Sequence, residues 1–241
     1  MESKLFVLPQ LKQRVMFHVK HSTALSPTRD ILLVAGGRAP QLSWLQQMVA
    51  GKALYCADHG VDVCLAAGLV PLELFGDCDS STEVVYARAA ALGSKVHSFN
   101  PAKDDTDLQL LLQNLPAGDI IATGIWGGRF DHLYSNVLTL LGAKKKRQCQ
   151  VLLADEQEFM LLLSAGESVE LELLQKAKAI SLLPLTADVQ VDFKGVRWPL
   201  TNAKLEQLYP YTISNEQSEE KICCVCSSGA VGLYIYWQEN N

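Results

Sequence analysis

From about residue 30 the chain alternates between short apolar runs and longer amphipathic stretches. The runs at 31–35, 53–57, 72–75, 120–122 and 151–154 each end in glycine or a small polar residue: Gly36-Gly37, Asp58-His59-Gly60, Gly76-Asp77, Thr123-Gly124 and Asp155. Apolar runs of three to five residues, with almost no polar interruption, suit strands buried on both faces of a parallel sheet. Between them, 42–50, 82–92, 106–115 and 131–141 are predicted as helices. Strands alternating with helices of this length mean βαβ units. Beyond residue 158 the pattern changes. The segments 179–185, 189–193, 222–226 and 231–237 are rich in β-branched and aromatic residues and are separated by Gly, Pro, Asn and Ser. They predict antiparallel strands. The expected fold is therefore α/β: an N-terminal, mostly parallel sheet flanked by helices over 30–157, then a C-terminal antiparallel β-sandwich or barrel over 165–241. Residues 1–29 stand outside the alternation and are expected to be an extension.

Composition narrows the picture. Hydrophobic residues make up 49% of the 241, enough to bury a sizeable core. The net charge of −5 argues against a nucleic-acid partner, which a basic field would serve better. The seven cysteines, mostly inside apolar runs, read as reduced thiols of a cytoplasmic protein. Cys224-Val225-Cys226 lacks the spacing of a zinc site and reads as strand. No run approaches a membrane span or a secretory h-region. The basic run Lys144–Arg147 reads as a solvated helix end favoured by the helix dipole.

Three motifs carry candidate chemistry. In Gly76-Asp77-Cys78-Asp79-Ser80, two carboxylates at i and i+2 after a strand either converge on a hard cation or cap the following helix. In Lys103-Asp104-Asp105-Thr106-Asp107, three acids in four residues repel unless a cation or solvent separates them; a helix cap explains Asp104 or Asp105 equally well. Gly127-Gly128-Arg129 before a helix opened by Asp131 and His132 is an anion site by geometry: exposed backbone N–H groups with a guanidinium fork alongside. Gly36-Gly37-Arg38 is a second, weaker turn of that kind. No GxxxxGK[ST] occurs, so this is no P-loop protein.

Taken together, Asp-x-Asp-Ser, Lys-Asp-x-Thr-Asp and Gly-Gly-Arg-x-Asp-His, in that order, resemble the thiamine pyrophosphokinase family. Gly195-Val196-Arg197-Trp198-Pro199-Leu200 and Thr212-Ile213-Ser214-Asn215-Glu216 resemble two segments of its C-terminal half. The likeness runs over about 31–237. It implies diphosphate transfer from Mg-ATP to the thiamine hydroxyl, with AMP released, in a homodimer whose active sites are shared between subunits. It implies Mg²⁺ on Asp77, Asp79 and Asp107. It puts Lys103 and Arg129 on phosphate oxygens and Thr106 at a helix cap touching phosphate. Asp131 would orient a substrate, with Asp58, Gly127, Gly128 and His132 also at the bound ligands. Trp198 would stack on the aminopyrimidine near Ser214 and Asn215. The family often has Gly-Gly-Ala-Asn where this chain has His59-Gly60-Val61-Asp62; Asp58 still matches, and His59 is expected at a left-handed backbone position. Two other readings stay open: a pyrophosphokinase for another heterocyclic alcohol such as a hydroxymethylpterin, and a non-catalytic thiamine sensor.

Overall fold

The computed structural model describes residues 2–12, 15–19, 30–77, 83–100 and 104–237. Two compact units divide the chain, one built from residues 27–155 and the other from 1–26 with 156–241. No helix among the described residues is long and apolar enough to cross a membrane.

The chain opens with two strands, β1 (Glu2–Phe6) and β2 (Val15–Val19). The α/β unit then runs β3 (Ile31–Val34), α1 (Leu42–Met48), β4 (Ala53–Ala57), α2 (Gly60–Ala66), β5 (Glu73–Asp77), α3 (Glu83–Ala91), β6 (Lys95–Phe99), α4 (Asp107–Asn114), β7 (Ile120–Thr123), α5 (Phe130–Arg147) and β8 (Val151–Ala154). Its strands are all parallel, in the order β8-β7-β3-β4-β5-β6. Every residue of β3, β7 and β8 is buried, as their unbroken apolar runs require. Helix α4 buries Leu108, Leu111 and Leu112, spaced for one face. The order reverses between β3 and β7. Ligands of open α/β sheets bind outside the strands' carboxyl ends at such a switch point.

The other unit is antiparallel throughout. It adds β9 (Glu158–Ser164), β10 (Glu167–Glu172), β11 (Ala179–Pro184), β12 (Asp188–Lys194), β13 (Leu200–Glu206), β14 (Lys221–Ser228) and β15 (Ala230–Tyr236). One layer runs β11-β15-β9; the other, β1-β2-β10-β14-β12-β13, lies with β10 and β14 against β9 and β15. Alternation does the sorting: Val189, Val191 and Phe193 on β12, and Ile222, Cys224 and Cys226 on β14, all point inward. Burial pushes the Cys224 thiol up, so it behaves as a small apolar residue.

Several expectations change. The stretch read as an extension supplies strands: β2 pairs with β10 from Glu167↔Val19 to Glu170↔Met16, and Leu8 and Leu11 are buried. Tertiary pairing decides this, since an edge hairpin needs no long apolar run. Helix α2 and strand β6 are additional. The first opens on the turn-like His59-Gly60; the second is an edge strand none of whose residues is fully buried. Helix α5 runs six residues past its expected end, through Gly142 and the basic run, and stops at Gln148 in a left-handed conformation.

Candidate active site

Within the α/β unit, a cavity of about 590 Å³ opens at the carboxyl ends of the strands. One wall is acidic. Asp58 follows β4, Asp77 ends β5 and Asp107 is the first residue of α4. Each offers a carboxylate oxygen, and the three oxygens lie within 4.8 Å of one another. Local structure aims them. Asp58 sits at φ 53°, a left-handed position that Asp tolerates better than most residues, and its N–H donates to the Phe75 carbonyl at 2.8 Å. His59 has φ −61°, so the left-handed position expected there falls one residue earlier. The His59 ring instead lies between two acids, 3.2 Å from Asp62 and 3.8 Å from Asp58. Thr106 closes a capping box on α4. The Gln109 N–H donates to Thr106 Oγ1 at 3.3 Å, and the Thr106 N–H to Gln109 Oε1 at 2.8 Å, which sets Asp107 at the helix start.

The turn after β7 and the start of α5 also line the cavity. Gly127 and Gly128 both have positive φ, 70° and 67°, a pair of conformations that side chains would strain. Arg129 precedes the first helical residue, and its guanidinium forks onto Asp131, Nε to Oδ1 at 3.1 Å and Nη2 to Oδ2 at 2.6 Å. That hydrogen bonding holds the Asp131 carboxyl below its usual range. The Asp131 Oδ1 atom also accepts from the His132 N–H at 3.0 Å. Both side chains of the pair are largely exposed, so the fork is open to exchange with solutes.

Of the residues proposed from sequence, the cavity gathers Asp58, Asp77, Thr106, Asp107, Gly127, Gly128, Arg129, Asp131 and His132. Asp79 and Lys103 lie outside the described residues. Among the described residues Asp58 joins Asp77 and Asp107 in the acidic cluster, in addition to the metal ligands that the resemblance implies. Ser135 and Asn136 also line the cavity, and the motifs do not include them. Their signal is helical spacing: each stands four residues after Asp131 or His132 and so shares their face of α5. The turn at 36–38 splits its roles. Gly36 and Gly37 reach the cavity, whereas the Arg38 guanidinium is engaged by Asp155.

The remaining three candidates belong to the antiparallel unit, where they form one knot. The Trp198 N–H donates to Asn215 Oδ1 at 3.2 Å, and Asn215 Nδ2 donates back to the Trp198 carbonyl at 2.9 Å. Ser214, at φ 58°, donates its N–H to Ser181 Oγ. Arg197 is held by Glu216 and lies 4.8 Å from the Trp198 ring centroid. The indole thus stays 53% exposed while its backbone is fixed.

Clustered carboxylates and a glycine-rich anion turn lining one cavity, at the carboxyl ends of a parallel sheet, are parts that suit an α/β phosphotransferase. Comparison with known proteins narrows the class. The model of the thiamin pyrophosphokinase catalytic domain matches residues 45–153, and that of the family's vitamin B1 binding domain matches residues 168–231. The thiamine pyrophosphokinase of Bacillus subtilis (strain 168) is 32% identical over 195 residues, 78% of this chain and 89% of its own. A crystal structure of thiamine pyrophosphokinase from Bacillus subtilis matches with a TM-score of 0.75, at 28% identity over 88% of this chain and 100% of that one. The thiamin pyrophosphokinase of Geobacillus thermodenitrificans matches with a TM-score of 0.73, at 26% identity over 87% and 98%. The chain belongs to the thiamine pyrophosphokinase family of enzymes.

Proposed function

We propose that this chain moves the β,γ-diphosphate of Mg-ATP onto the hydroxyl of thiamine. The thiamine oxygen bonds to the β-phosphorus, the bond from that phosphorus to the α,β-bridging oxygen breaks, and AMP leaves. The observation that carries the reading is that the three-carboxylate cluster and the Gly127-Gly128-Arg129 turn line one cavity. The donor set fits Mg²⁺. Octahedral Mg²⁺ takes oxygen ligands at about 2.1 Å, so adjacent ligands stand about 3.0 Å apart and opposite ones about 4.2 Å, and oxygens within 4.8 Å of one another need close by no more than about 1.8 Å. Asp58, Asp77 and Asp107 would hold the ion, with Asp79 assigned beside them by resemblance. Bound there, Mg²⁺ supplies charge neutralisation for the polyphosphate.

The chain's own groups do the rest. The backbone N–H groups of Gly127 and Gly128 and the start of α5 take phosphate oxygens. Arg129, released from Asp131, offers them its fork, and Lys103 adds a cation by resemblance. Asp131, freed in the same exchange, orients the acceptor, and Thr106 and His132 contact the bound ligands. Catalysis of this kind is mostly positioning and electrostatics. Trp198 stacks on the aminopyrimidine beside Ser214 and Asn215. The family resemblance further supports a homodimer in which each active site draws on both subunits.

The test is incubation with Mg-ATP and thiamine. AMP and thiamine diphosphate should appear in equal amounts. Release of ADP, or ATP turnover indifferent to thiamine, would refute the reading.

A further inference from the structure

Arg38 does not line the cavity, yet it is built into the turn that does. The loop after β3 is zipped to the loop after β7: the Gly37 N–H donates to the Gly124 carbonyl at 2.7 Å, and the Arg38 N–H donates to the Trp126 carbonyl at 2.5 Å. The fit is close. A Cβ added to Gly37 would stand 2.5 Å from the Gly124 oxygen and 2.7 Å from that of Trp126. One added to Gly127 would meet Arg38 Cβ at 3.1 Å, so the arginine's stem is the surface on which Gly127 rests. The far end of that side chain is anchored. Arg38 Nε and Nη2 donate to Asp155 Oδ2 at 3.1 and 2.5 Å. Asp155 follows β8 and is fully buried, whereas the Arg38 side chain is 31% exposed. A buried carboxylate demands a partner, and a guanidinium held through two nitrogens has little freedom to swing. The ends of β8, β3 and β7, adjacent in the sheet, are thereby tied into one support beneath Gly127.

We propose that Arg38 and Asp155 are positioning residues. Their ion pair sets the conformation of the Gly127-Gly128 turn, and through it the way that turn and Arg129 meet a polyphosphate. The proposal rests on the reading of this cavity as the Mg-ATP site. Neither residue touches substrate; both act through the backbone of the turn.

Removing one partner leaves an uncompensated group and risks unfolding, so the test uses the neutral pair Arg38→Gln with Asp155→Asn. This double variant should fold and melt close to the wild-type temperature. The amide resonances of Gly127 and Gly128 should nonetheless shift in nucleotide-free protein. The KM for Mg-ATP should rise about tenfold, the scale of a sub-ångström misplacement, with the thiamine KM unchanged. A folded variant with wild-type glycine resonances and wild-type Mg-ATP KM overturns the proposal. So does an equal rise in both KM values, which would mark a general structural defect. Should the double variant not fold, Arg38→Lys keeps the charge and loses the fork, and is judged by the same two readouts. If the wild-type chain does not bind Mg-ATP, the functional reading fails by itself. The glycine resonances still decide whether the pair sets the turn.

Discussion

Replacing Asp58 with Asn separates the acidic cluster's function from its cost. Asn tolerates the left-handed position that Asp58 occupies, so the backbone is unaffected and only a charge is removed. Three carboxylates with oxygens within 4.8 Å make three repulsive pairs, and Asp58 belongs to two of them. At 4.8 Å each pair costs about 0.9 kcal/mol in water and about 3.5 kcal/mol at an effective dielectric near 20. Physiological salt roughly halves the lower figure. The Asp58 side chain is 41% exposed, so the smaller values govern, and relief of two pairs comes to about 1–2 kcal/mol. Without metal, Asp58→Asn should therefore melt about 2–8 °C above wild type. Mg²⁺ offsets most of that gain. At a hundredfold excess over its Kd, a ligand stabilises the folded state by about 2.7 kcal/mol. A variant binding at least about tenfold more weakly loses about 1.4 kcal/mol of that. Differential scanning calorimetry with and without Mg²⁺, at neutral pH, reads both effects, and diphosphate transfer should fall in parallel. A variant whose metal-free melting temperature does not rise, and whose Mg²⁺-induced shift equals that of wild type, would remove Asp58 from the cluster.

Three further outcomes are expected. Trp198→Ala removes a ring whose stacking or cation–π contribution is about 0.5–2 kcal/mol, so the thiamine KM should rise about 2- to 30-fold while the Mg-ATP KM holds; equal changes in both would count against the stacking role. Mixing inactive Asp77→Asn and Trp198→Asp proteins under subunit exchange should restore activity, since each heterodimer of a shared-site enzyme carries one intact site; no recovery with exchange verified would mean each chain builds its own site. The Asp131 carboxyl, held down by Arg129, keeps its ion pair above its ordinary titration range and loses it as pH falls through the depressed value; in Arg129→Gln its carbon-13 titration should move to higher pH, and an unmoved midpoint would mean the fork does not persist in solution.

Local chemistry makes much of the acidic wall and the glycine turn legible in the sequence. Asp77, Asp107 and Gly127-Gly128-Arg129 follow or precede recognisable strands and helices, and a sheet's carboxyl ends are where ligands gather. Asp58 is visible there too, but its place among the carboxylates is not. It lies 19 residues from Asp77 and 49 from Asp107 in the chain, and only the β4-β5 pairing and the seating of α4 bring the three together. Ser135 and Asn136 stay hidden for a related reason. Helical spacing tells which face they share, not what that face looks onto.

The division between what sequence alone determined and what tertiary structure decided follows the range of the forces. Burial of unbroken apolar runs, the capping box at Thr106 and the left-handed glycines are short-range matters, settled within a few residues. The strand order β8-β7-β3-β4-β5-β6, the recruitment of β1 and β2 to the antiparallel sheet, and the edge strand β6 depend on partners far along the chain. So does the link from Arg38 to Asp155, 117 residues apart, where a lone turn arginine and a strand-end aspartate become one ion pair. Neither carries a local pattern, because what fixes them is the high cost of leaving the buried Asp155 carboxylate without a partner, and only the folded sheet supplies that partner.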